Sequence, residues 1–136
     1  MLPSDFLRPY CPGVSATRPE YEAVLRLLKV LDDGVEPDRS TLRAAVRWLL
    51  AALASAKPGK SVEVRVPPYG AVQCIPGLRH TRGTPPNVVE MDPITWVEVA
   101  TGRSTWADAV AAGRIRASGT RADLSEFLPI RPAAGE

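Results

Sequence analysis

The chain has 136 residues, 17 basic and 15 acidic, for a net charge of +2. Charge this even gives no electrostatic argument for nucleic acid, and a hydrophobic content of 45% excludes a disordered chain. The length suits one domain with an appended arm, large enough to bury about two-thirds of its unfolded-chain surface.

The two cysteines, Cys11 and Cys74, are far apart and match no metal-ligand spacing. The first residues, Met1 to Tyr10, have no signal-peptide layout. The strongest uncharged apolar run, Trp48 to Ala56, is too short to cross a bilayer. A cytoplasmic protein with no integral membrane segment is expected.

Residues 1–16 hold three prolines and a glycine and read as an extended arm. Thr17 and Glu20 form a capping-box pair, with Pro19 in the first turn. Tyr21, Val24, Leu25, Leu28 and Leu31 then recur at helical spacing, which predicts an amphipathic helix over 18–32. Its stripe must be covered by its own domain or by a partner, so a homodimer or partner-protein contact through residues 18–32 is one expectation. Asp38 or Ser40 caps a second helix, about 40–56. Leu42, Ala45, Val46, Leu49, Leu53 and Ala56 form one face, and Trp48 and Leu50 widen it until the helix is apolar nearly all round. Such a helix belongs in the middle of a core.

Val62, Val64 and Val66 alternate with polar residues in a strand over 61–66. Pro67 to Gly70 is a turn, and Ala71 to Ile75 returns as the second strand of a hairpin. Residues 76–86 form a loop with Arg79, His80 and Arg82 at its basic centre. Asn87 to Met91 is a third strand. Asp92 caps a helix with Pro93 in its first turn, and Gly102 stops it. Thr105 and Asp108 open a short helix that ends at Gly113, and Arg114 to Ser118 alternates as a strand with Arg114 and Arg116 outward. Thr120 and Asp123 predict a final helix with Leu124, Phe127 and Leu128 on its apolar face. Residues 131–136 are a tail. These elements predict an α+β fold, with a mainly antiparallel sheet of four or five strands packed with helices.

The stretch Trp96-Val-Glu-Val-Ala-Thr-Gly102, then Ala107 to Gly113, then Arg114-Ile-Arg-Ala-Ser-Gly119 resembles the signature of the sterol carrier protein type two superfamily. With the strand from Val62 and the run Pro67 to Cys74 upstream, the chain resembles more narrowly the bacterial sterol carrier ortholog family. The likeness covers about residues 42–130, so three parts are expected: an arm and extra helix over 1–40, a sterol-carrier-like domain over 41–130, and a tail.

The resemblance implies a non-catalytic carrier for an apolar or amphipathic small molecule of lipid, fatty acyl or isoprenoid type. The space between helices and sheet would be its cavity. Lining candidates are Trp48, Leu49, Leu53, Val72, Cys74 and Val89, with Met91, Trp96, Val97, Trp106, Val110 and Ile115. The same side chains would serve equally well as a closed core, because burial is worth about 25 cal/mol per Å² whether ligand or protein covers the surface. The alternative function is therefore a ligand-free interaction module. Arg79, His80 and Arg82 are candidates for a head-group contact, since arginine forks meet phosphate and carboxylate groups bidentately; a solvated loop explains them too. A catalytic reading fares badly. Asp92, Asp108 and Asp123 are accounted for as helix caps, His80 stands alone, and Cys74 lies in a strand where it reads as a small apolar residue. No cofactor, no metal and no enzymatic activity are expected.

Overall fold

The second helix is the hub of the molecule, and it begins where the sequence signals it. The computed structural model describes residues 18–77, 87–120 and 122–130. Of the two candidate caps, Asp38 takes the role: its carboxylate accepts from the Thr41 N–H at 3.2 Å and from the Ser40 hydroxyl at 2.6 Å. Helix α2 then runs over Arg39–Ala56, after α1 over Arg18–Asp32. Ala45, Val46, Trp48, Leu49, Leu50, Ala52 and Leu53 are all buried, which fits a helix enclosed on several sides. One side receives α1 through Tyr21, Val24, Leu27 and Leu28. The amphipathic stripe of α1 is thus covered within the chain.

The sheet has four strands among the described residues: β1 (Val62–Val66), β2 (Gly70–Cys74), β3 (Asn87–Met91) and β4 (Ile115–Ser118). Their order is β2-β1-β3-β4. β1 and β2 form the expected antiparallel hairpin, with Val64 opposite Val72. β3 then lies on the other side of β1 and runs parallel to it, with Val64 opposite Val89. β4 returns antiparallel to β3, at the sheet edge. The sheet is therefore mixed: two antiparallel pairings flank one parallel pairing. Alternation puts Val62, Val64, Val66, Val89 and Met91 in the core. The opposite face is polar. Glu63 and Arg65 form an ion pair on it, and Glu90 lies across from Arg116.

Between β3 and β4 lie α3 (Pro93–Thr101) and α4 (Trp106–Ala111). Asp92 caps α3, accepting from the Thr95 N–H and hydroxyl, and Gly102 ends it at φ +85° in the left-handed region. The Thr105 hydroxyl caps α4 by accepting from the Asp108 N–H at 3.0 Å. α3 packs against α2, and α2 against β2.

The expected last helix does not form. Residues 125–127 make a single turn, because the Asp123 carboxylate accepts from the Ser125 N–H two residues on and so closes a local turn. Leu124 is nevertheless fully buried, and the Ile130 N–H donates to the Ala100 carbonyl at 2.9 Å. This segment closes over α3 as a strap rather than as a helix.

Arg114 also departs from expectation. It precedes β4, and its guanidinium reaches back to the Glu98 carboxylate and the Thr95 hydroxyl on α3. Glu98 also faces Arg103, which pairs with Asp32 at the end of α1. This chain of charges links α1, α3 and the start of β4 across the surface.

Candidate functional site

The expected lining residues converge where the helices meet the sheet. Trp48, Leu49 and Leu53 come from α2, Cys74 from β2, Val89 and Met91 from β3, Trp96 and Val97 from α3, and Ile115 from β4. All are buried, and all belong to one apolar cluster. Val72 and Trp106 are half-buried against its margin. Val110 is not part of it. That side chain is 44% exposed, on the outer side of α4, where helical spacing turns it away from Ala109.

The two buried tryptophans differ in a way the sequence conceals. The Trp96 indole N–H donates to the Val46 carbonyl of α2 at 3.3 Å, which ties α3 to α2 through the core. Trp48 packs its ring against Tyr21, with centroids 5.1 Å apart and planes inclined by 59°. Its indole N–H is buried and has no hydrogen-bond partner among the described residues. An unsatisfied buried donor costs about 1–3 kcal/mol, so any oxygen that reached it would bind with advantage. Sequence reasoning counted Trp48 as apolar surface only. Its open donor depends on which carbonyls α1 and α2 bring near it.

The expected head-group residues Arg79, His80 and Arg82 lie outside the described residues. A different polar feature is in view: an open surface groove of about 740 Å³, lined by Arg39, Ser40, Arg43, Pro68 and Tyr69. The sequence showed these residues only as a helix start and a turn.

Cys74 is fully buried, and burial pushes its thiol up to about 11. At neutral pH it is a packed apolar group with almost no thiolate. Native protein treated with iodoacetamide at pH 8 should therefore leave Cys74 unmodified for hours, and label it within minutes in denaturant. Peptide mapping reads the difference, and rapid native labelling would contradict the buried placement. Among the described residues, no three His, Cys, Asp or Glu side chains converge as a metal site. No helix among them is long and apolar enough to cross a membrane.

A family model described as bacterial SCP ortholog, SCP being sterol carrier protein, matches residues 38–130. The chain belongs to this bacterial SCP ortholog family. The matched span opens at Asp38, the cap of α2, and closes at Ile130, where the C-terminal strap bonds to α3. It holds the whole sheet, α2, α3 and α4, while α1 precedes it. Membership in this SCP family accords with the α+β architecture. No curated protein matches the sequence.

Proposed function

We propose that this SCP-family protein is a soluble, cytoplasmic, non-catalytic carrier for an amphipathic small molecule of fatty acyl or isoprenoid type. The hydrocarbon part would lie in the apolar layer between α2, α3 and the sheet. Arg79, His80 and Arg82 remain candidates for the head group. The observation that most supports the reading is the buried indole N–H of Trp48, a member of the same apolar cluster with no hydrogen-bond partner among the described residues. An amphiphile's oxygen that reached it would satisfy it. Entry requires the layer to open. Opening would expose apolar surface that a bound chain covers again, so ligand should raise thermal stability.

Native mass spectrometry of the purified protein, with an organic extract of the same sample, is the test. The expected result is an added mass that reappears as an oxygen-bearing lipid in the extract. A bare protein mass, together with no thermal shift from fatty acids or isoprenols, would sink the carrier reading. The complete burial of Leu49, Leu53, Val89 and Trp96 favours a second reading in that event: a closed-core interaction module.

A further inference from the structure

We infer that the groove between the start of α2 and the β1–β2 turn is a binding site for a phosphate monoester with an apolar or ring-shaped body. This inference is independent of the carrier reading, because the groove lies on the outside of the protein and none of the proposed apolar lining belongs to it.

Arg39 and Arg43 are one helical turn apart, so their side chains project from one face of α2 as neighbours. Leu50 continues the same face two turns further on, and its Cδ1 would lie 3.4 Å from a Cβ at Gly70. The start of β2 therefore lies close against α2. The turn before Gly70 closes with the Tyr69 N–H donating to the Val66 carbonyl at 2.9 Å. The result is a cleft lined by Arg39, Ser40 and Arg43 from α2 and by Pro68 and Tyr69 from the turn.

The charges in the cleft are not neutralised by ion pairs within the described residues. Arg65, Arg103 and Arg114 each hold a carboxylate. Arg39 and Arg43 have no such partner among the described residues. The neighbouring carboxylate, Asp38, is taken up by the α2 cap through the Ser40 hydroxyl and the Thr41 N–H. These bonds hold it well below the usual carboxylate range, at about 2, so it stays ionised and leaves one net positive charge among the three groups. The Ser40 hydroxyl proton is used in that bond and is not available to a ligand.

A dianionic tetrahedral group suits this arrangement better than a carboxylate. It can accept a fork from each of two arginines, whereas one carboxylate edge saturates one fork. A groove of about 740 Å³ is far larger than inorganic phosphate and lies in the range of small organic ligands. The Tyr69 and Pro68 rings offer the body a flat apolar surface, and the phenol offers a further donor.

A soluble ester and a lipid head group both present such a phosphate, and two probes separate these. Phenyl phosphate is titrated by calorimetry at low salt. Cosedimentation is measured with phosphatidylcholine vesicles containing phosphatidic acid. Both use the full chain as wild type, as R39Q/R43Q, and as R116Q. Arg116 is an exposed arginine on β4, at the opposite sheet edge from β2, and serves as the charge control. Circular dichroism and melting confirm that each variant is folded.

The expected result is saturable binding that weakens roughly ten- to a hundredfold in R39Q/R43Q and is unchanged in R116Q. Response to phenyl phosphate alone assigns a soluble ester, and response to vesicles alone assigns a lipid head group. Equal binding by wild type and R39Q/R43Q, an equal loss in R116Q, or no saturable binding of either probe would each overturn the inference.

Discussion

Trp96→Ala is expected to destabilise the protein by about 3–5 kcal/mol, a fall in Tm of roughly 10–20 °C. Trp96 is fully buried at the centre of the cluster, so its removal leaves a cavity that the packed α2 and β-sheet side chains fill only in part. It also removes the donor to the Val46 carbonyl that joins α3 to α2. Trp96→Phe separates the two contributions. It keeps most of the ring volume and loses the hydrogen bond, and should cost markedly less than Trp96→Ala. Urea unfolding of both variants reads the split. If Trp96→Ala cost less than about 1 kcal/mol, α3 would not be seated on α2 as described. Trp96→Phe also serves the carrier reading, because its retained ring is expected to keep the chain folded. Ligand affinity measured on it reports on the apolar layer without the confusion of an unfolded chain.

Gly59→Ala should be comparably severe, at about 3 kcal/mol or more, for a different reason. At Gly59 the backbone passes the end of β2 so closely that a Cβ would lie 2.3 Å from the Ile75 carbonyl carbon and oxygen, and 2.5 Å from the Pro76 nitrogen. All three are backbone atoms, so no rotamer change relieves the overlap. The loop would have to move away from β2. That movement would strain the bonds that stitch the two together, from the Ile75 N–H to the Lys57 carbonyl and from the Ser61 N–H to the Ile75 carbonyl. Ile75 itself is held at φ +70°, a costly conformation for a β-branched residue, and depends on those bonds. Gly34→Ala is the control. Gly34 has φ +73° but open space around it, so the substitution should cost only the left-handed conformation, about 1–2 kcal/mol. Thermal melting of the two variants should therefore differ clearly. Equal losses would show that conformation, and not close approach, governs position 59.

The two variants also mark the boundary between what local signals reveal and what they hide. Asp38, Asp92 and Thr105 cap the helices that the sequence placed behind them, and Gly102 stops α3 in the left-handed conformation expected of it. Val62, Val64 and Val66 face inward as their alternation predicts. The Asp123 region shows how such a signal can mislead. The same carboxylate that can cap a helix can close a tight turn, and nothing local chooses between them. The packing of Leu124 and the bond from Ile130 to Ala100 accompany the turn. At the candidate site, most of the lining residues named from the resemblance fall in the buried cluster, but Val110 among them faces solvent. They assigned charge to a basic loop while Arg39 and Arg43 read as ordinary helix residues.

The sequence by itself determined α1 to α4 and the four strands, the α+β class and the membership of the bacterial SCP ortholog family, but not the turn that replaces a last helix. Caps, glycine stops and two- or four-residue periodicity act over a few residues, so they can be read from the chain. Only the tertiary structure decided that β3 runs parallel to β1, that α1 buries its stripe on α2, that Trp96 has a partner while Trp48 has none among the described residues, and that Arg43 and Tyr69 line one groove. Each of these depends on groups far apart in sequence whose separation is set by how helices and sheet pack, and no spacing along the chain records it.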